Sequence, residues 1–145
     1  MTDSELQHSK VVRRYFDGCN TGDLGTLLST MTAEVKHYFL PTSFPPIMGA
    51  DHLARYWRKY KQVLNPQWSI DRLVARDEEV VNEWSCLWTP PGTDKRVMSR
   101  GTEWYVMRDG KIDEIRAYFI ADSASDTELG GFAYMQRGYL VRPDA

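Results

Sequence analysis

Apolar residues recur with the 3.6-residue period of a helix early in the chain and with the two-residue period of strands later. Val12, Tyr15, Phe16 and Cys19 fall on one helical face. Thr2 followed by Glu5 is a capping box that predicts where this helix starts, and Asn20-Thr21-Gly22 predicts its end. Asp23 or Thr21 caps a short second helix, in which Leu24, Leu27, Leu28 and Met31 repeat the period. Val35, His37 and Phe39 then alternate with Lys36 and Tyr38, as in a strand. Pro41, Pro45 and Pro46 end that strand in a loop. Asp51 is expected to cap a third helix with Leu53, Tyr56, Trp57, Tyr60 and Leu64 on its apolar face. Arg55, Arg58, Lys59 and Lys61 on the other face read as solvated surface, and Asn65-Pro66 stops the helix.

Beyond this point the pattern is that of strands, predicted near residues 67–76, 79–89, 95–108 and 111–120. Pro90-Pro91-Gly92 and Arg108-Asp109-Gly110 are turns, the second of hairpin type. Helices followed by a meander imply an α+β fold with the helices gathered on one face of an antiparallel or mixed sheet. A strongly bent sheet of this kind would enclose a pocket. The tail beyond Asp122 is small and polar, then aromatic at Phe132, Tyr134 and Tyr139, and Gly130-Gly131 disfavours a continuous helix there. The expected organisation is one domain over 1–145, with a core at 5–120 and an extension at 121–145.

Composition narrows the function. The chain has 145 residues, 42% of them hydrophobic and 26% charged, which is the mix of a globular domain with a real core. A net charge of −2 gives no electrostatic drive toward nucleic acid or an anionic membrane. No apolar run approaches the roughly 20 residues of a membrane span, and MTDSELQHSK lacks the apolar stretch of a secretory signal. Cys19 and Cys86 form no CxxC pair, so a reducing cytoplasm is the expected setting. No HxH or HExxH motif is present, and neither a metal nor an organic cofactor is expected. The unusual feature is the aromatic content of five Trp, eight Tyr and five Phe.

Several polar residues sit where alternation or helical spacing predicts an apolar environment. Glu103 shares a strand face with Tyr105 and Met107. Desolvation there would raise its pKa and suit it to general acid work or to donating a hydrogen bond to an enolate. The alternative is a cross-strand ion pair with Arg100 or Arg116 on a solvent face. Tyr15 lies in the apolar stripe of the first helix, either with its hydroxyl in a cavity or as a core phenol bonded within the protein. His37 alone among the three histidines lies on a strand's apolar face, as a base or as a satisfied core group, whereas His8 and His52 are expected to be exposed. Asn82 alternates with Trp84, Cys86 and Trp88 and would orient a ligand carbonyl, pair with Glu103, or turn outward at a bulge. Asp113 shares parity with Ile115, Ala117 and Phe119, and Asp122 lies just past that strand; either is a candidate carboxylate for a cyclase-like site, although the place of Asp113 beside a turn favours a solvated hairpin residue.

Two stretches carry a family resemblance. Val11-Val12-Arg13-Arg14-Tyr15-Phe16 with Asn20-Thr21-Gly22-Asp23-Leu24 is similar to the N-terminal helix and turn of the NTF2-like superfamily. Gly101-Thr102-Glu103-Trp104-Tyr105-Val106 with Asp109-Gly110-Lys111-Ile112-Asp113-Glu114-Ile115-Arg116-Ala117-Tyr118-Phe119 resembles its closing hairpin. That superfamily includes ketosteroid isomerase and the SnoaL-like polyketide cyclases. The resemblance implies a cone-shaped α+β barrel with an internal pocket for a small apolar organic ligand, and a homodimer formed through the outer sheet face. Trp104, Val106 and Tyr118 are the expected interface anchors. By comparison with ketosteroid isomerase, Tyr15 lies at the oxyanion-hole tyrosine and Glu103 at the protonated acid, one methylene longer. The base position falls on or beside Phe39, which takes no proton, so His37 is the nearest group that could carry it. The expected site is therefore Tyr15, His37 and Glu103, walled by Phe16, Phe39, Trp57, Tyr60, Trp84, Trp88, Tyr105 and Phe119, with Asn82 facing the ligand. The resemblance implies two functions. One is cofactor-independent proton transfer next to the carbonyl of a polyketide- or steroid-like compound, as an isomerase, dehydratase or cyclase. The other is a non-catalytic module that binds a small ligand or a protein partner.

Overall fold

The computed structural model describes residues 1–120, 124–127 and 129–134. Asp122 and Tyr139 lie outside the described residues. The first helix, α1 (Asp3–Thr21), starts at the capping box: the Glu5 N–H donates to Thr2 Oγ1 at 3.1 Å, and the Thr2 N–H donates to Glu5 Oε2 at 2.8 Å. It ends at Gly22, whose left-handed φ of 73° lets its N–H reach the Gly18 carbonyl. Asp23 caps α2 (Leu24–Thr30) through the Thr26 N–H. The third helix, α3 (Ala50–Leu64), departs from expectation. It begins at Gly49, with no side-chain cap, and Asp51 lies inside the first turn, paired with Arg55 at 3.0 Å.

The strands are β1 (Met31–Leu40), β2 (Ile47–Met48), β3 (Gln67–Arg76), β4 (Glu79–Trp88), β5 (Val97–Arg108) and β6 (Lys111–Phe119). They form one curved sheet in the order β2-β1-β6-β5-β4-β3. β1 and β6 pair in parallel and every other neighbouring pair is antiparallel, so the sheet is mixed. Met31, placed by its spacing on the second helix, instead opens β1 opposite Ile112. Among the described residues no helix is long and apolar enough to cross a membrane.

The helices pack on the concave face of the sheet. Val12 and Tyr15 from α1, Leu27 from α2, Leu53 from α3 and Val35, Ile112 and Ile115 from the sheet are all fully buried. Two polar expectations change. A register shift in the β5–β6 pair turns Asp113 away from the core, where it accepts hydrogen bonds from Thr32 at 2.7 Å and Arg108 at 3.1 Å. His8 is buried rather than exposed, and its Nδ1 donates to the Asp77 carbonyl at 3.0 Å, tying α1 to the β3–β4 turn.

Gly101 faces Trp84 across the β4–β5 pair, and the indole lies over it. A Cβ at this position would stand 2.5 Å from Trp84 Cζ2 and 2.7 Å from the Tyr118 carbonyl oxygen. One of those contacts is backbone, so the strand itself would have to move. Gly101→Ala is expected to lower stability by about 1–3 kcal/mol, the usual cost of overpacking, and a urea unfolding midpoint measures it.

Candidate active site

A cavity of about 750 Å³ opens between α3 and the concave sheet. That volume suits a small organic molecule. Tyr56, Trp57 and Tyr60 project into it from successive turns of α3, while Phe39, Trp84 and Phe119 come from the sheet. The β1–β2 loop supplies Phe44 and Pro45, and Ile120 and Ala124 come from the chain just past β6. The rings pack edge to face in a continuous row. Centroids are 5.5 Å apart for His37–Trp57, 5.7 Å for Trp57–Trp68 and 5.0 Å for Trp68–Trp84. Such packing fixes the wall more firmly than aliphatic side chains would.

Register places a carboxyl in this largely apolar surround. Asn82, Glu103, Ala117 and Phe39 lie side by side across β4, β5, β6 and β1. Ala117 leaves open space beside Glu103, and Phe39 stands two strands away, about 10 Å at ordinary strand spacing. Glu103 is 4% exposed and lines the cavity. The Tyr105 hydroxyl donates to its carboxylate. Asn82 Nδ2 in turn donates to the Tyr105 oxygen at 3.3 Å, while Asn82 Oδ1 accepts the Glu103 N–H at 3.1 Å. Burial pushes the Glu103 carboxyl up to about 7, against the opposing pull of the Tyr105 hydrogen bond. A shift in this direction brings the carboxyl toward the range that suits general acid or base work at neutral pH.

The other expected site residues lie differently. Tyr15 is 1% exposed and does not line the cavity; its oxygen accepts a hydrogen bond from Trp57 Nε1 at 2.7 Å. With Phe16, Cys19 and Glu103 it borders a separate void of about 10 Å³, too small for a ligand. Its hydroxyl thus holds the Trp57 wall and does not reach the ligand space. His37 stands at the cavity wall but is fully buried, and desolvation pushes its imidazole down to about 3. Desolvation therefore favours its neutral form at pH 7 and weakens it as a base. Phe16, Asn82 and Tyr105 share the correct face but sit behind the cavity wall, whereas Phe39, Trp57, Tyr60, Trp84, Trp88 and Phe119 line it.

Sequence reasoning missed Trp68, Tyr56, Phe44 and Ser99 as lining residues. Tyr56 was already on the apolar face of α3, and Trp68 opens a predicted strand; both signals were present. Among the described residues the buried side-chain nitrogens that lack a hydrogen-bond partner belong to His37, Trp68 and Trp84, all on this wall. Among the same residues no group of three His, Cys, Asp or Glu side chains is placed to hold a metal ion.

The SnoaL-like domain model matches residues 12–115. Among solved structures, a protein of unknown function with a cystatin-like fold from Methylobium petroleophilum PM1 is 33% identical, with a TM-score of 0.71 over 94% of this chain and 93% of its own. An epoxide hydrolase of M. tuberculosis named as LEH-like is 19% identical, with a TM-score of 0.70 over 83% of each chain. A protein from Jannaschia sp. CCS1 described as a SnoaL-like polyketide cyclase is 16% identical, with a TM-score of 0.70 over 81% of this chain and 88% of its own. The last two share the fold alone. Among curated proteins none matches the sequence.

The carboxyl and the imidazole make opposite contributions to stability. Glu103 is raised from 4.5 in the unfolded chain to about 7, so its contribution falls as pH rises through that window. His37 is depressed from 6.5 to about 3, so its contribution falls as pH drops through that window. Glu103→Gln should remove the first slope and leave stability rising with pH up to about 6.5, as read from urea midpoints across the pH range.

Proposed function

The chain belongs to the SnoaL-like domain family, and from that membership we propose that its cavity takes a small apolar carbonyl compound and that Glu103 moves a proton beside the carbonyl. The observation that carries this reading is a carboxyl, raised to about 7, on the wall of a largely aromatic cavity. In its ionised form Glu103 takes a proton from the carbon next to the carbonyl, and the electron pair moves onto the carbonyl oxygen as an enolate. The protonated carboxyl then returns the proton. Return to a different carbon is isomerisation, delivery to a departing hydroxyl is dehydration, and attack of the enolate on a second carbonyl, whose oxygen takes the proton, is aldol cyclisation. Each route moves one negative charge from carboxylate to enolate without creating another, which a desolvated apolar wall tolerates better than charge separation.

Tyr105 positions the carboxyl and tunes it. Its hydrogen bond favours the ionised form, and Asn82 holds the phenol in turn. Tyr15 acts at one remove by fixing the Trp57 indole.

A second reading is a non-catalytic carrier. The locking of Tyr15 to Trp57 and of Tyr105 to Glu103 favours it, since those hydroxyls are already engaged inside the protein. A panel of enones and β-hydroxy ketones separates the two. Under the first reading Glu103→Gln lowers kcat/KM by about 10²-fold or more, and Tyr105→Phe moves the acidic limb of the pH–rate profile upward. Under the second, ligands raise the melting temperature with no turnover in any variant.

The outer sheet face supports pairing with a second copy of this chain. Trp104 is 38% exposed and Tyr118 43%, an aromatic strip on adjacent strands, and Val106 stands half-buried beside them. Burying such residues together is the usual pattern at the centre of an interface. Trp104→Ala with Tyr118→Ala should shift the sedimentation coefficient from dimer to monomer, with the far-ultraviolet circular dichroism unchanged.

A further inference from the structure

Ser99 lies on β5, on the same face as Gly101 and Glu103, and lines the cavity. Its hydroxyl oxygen accepts a hydrogen bond from Trp88 Nε1 at 3.0 Å. A hydroxyl can accept and donate at once. Among the described residues no acceptor takes the Ser99 proton, so this group has a donor to spare and an oxygen already fixed in place. Among the described residues the hydroxyls of Tyr56 and Tyr60, on the facing helix, have no comparable fixing bond.

Spacing gives the group its meaning. Ser99 and Glu103 are four residues apart on one face, a separation of about 13 Å in an extended strand. Between them Gly101 has no side chain, and the Trp84 indole lies across the gap. The floor from Glu103 to Ser99 is therefore apolar and flat in the middle, with one polar group at each end.

We propose that Ser99, held by Trp88, is a second anchoring point that selects ligands carrying a hydrogen-bond acceptor at the end remote from the carbonyl at Glu103. The ligand class is an elongated, largely planar apolar molecule with an oxygen function at either end. The inference rests on the proposed proton transfer only for placing the first carbonyl at Glu103. A ligand bearing a single oxygen leaves the Ser99 proton unpaired in an aromatic wall, and that lost bond is the source of discrimination.

Two rod-shaped probes test it: biphenyl with a para-acetyl group on each ring, and the same molecule with one acetyl replaced by an isopropenyl group of the same shape. Affinities are read by titration calorimetry or tryptophan quenching, without turnover, so failure of the catalytic reading and failure of this one give different results. The diacetyl probe should bind about fivefold more tightly, the worth of one neutral hydrogen bond, beyond the factor of two that its symmetry supplies. Ser99→Ala should abolish that preference while leaving the affinity for the isopropenyl probe unchanged, which also reports an intact cavity. Ser99→Thr, which keeps the hydroxyl, should retain the preference. Equal affinity of the wild-type protein for the two probes, no binding of either, or a preference that survives Ser99→Ala would overturn the proposal.

Discussion

The hollow depends on small residues in the middle of the sheet. Gly101 on β5 and Ala117 on β6 occupy concave-face positions that large side chains fill elsewhere in the core. At Gly101 the missing side chain lets the Trp84 indole lie down against the strand. At Ala117 the short side chain leaves free the space between Glu103 and Phe39. Close packing would ordinarily eliminate a void of this size, because each unfilled contact forfeits dispersion energy. Here the surrounding rings support one another edge to face and keep the space from collapsing.

Polar groups inside this shell obey two rules. Asn82, Tyr105, Glu103 and the Glu103 backbone N–H form a closed set of bonds, and Trp57 with Tyr15 forms another. Those sets hold their members in fixed geometry, as buried polar networks do when each member finds a partner. His37, Trp68 and Trp84 break the pattern with unpartnered nitrogens. A buried donor without an acceptor costs free energy, and the three occur together on one wall. Among the described residues these unpartnered nitrogens thus border the same space as the Glu103 carboxyl.

Much of the fold was legible in the sequence because its signals are local. The capping box, the Asn-Thr-Gly helix end and the turn at Asp109-Gly110 each specify backbone geometry within a few residues. The two-residue β2 carries too little pattern to register, and the start of α3 at Gly49 was hidden behind a better-looking cap at Asp51. For the site, alternation identified the right face at Glu103, Trp84 and Phe119. Periodicity gives a direction, however, and not a depth. Tyr15, Phe16, Asn82 and Tyr105 all point inward yet stop behind the first layer: Trp57 and Trp68 pack on Tyr15 and Phe16, and Asn82 and Tyr105 are bonded to Glu103. The outward turn of Asp113 had the same cause in another form, since one bulge reverses every parity argument beyond it.

The described residues beyond β6 lie in two places. Ala124 reaches the cavity wall, and Ser125 bridges to Met98 where β5 runs past the end of β6. Phe132 then stacks on the Arg100 guanidinium, 4.7 Å from ring centroid to carbon, on the outer face of the sheet. Arg100 donates to Ser85 at 2.7 Å, and Ser85 donates to the buried Asp71 at 2.5 Å. A carboxylate on the convex face would ordinarily be solvated; this one is 8% exposed because a register shift in β3 and the neighbouring side chains enclose it. A buried carboxylate needs a charged or hydrogen-bonding partner, so the extension packs where the sheet already presents one. The described part of the extension thus borders the ligand space at one end and packs on part of the outer face at the other, while Trp104 and Tyr118 are exposed. Substitutions at Ala124 and at Phe132 would therefore act on opposite faces of the sheet.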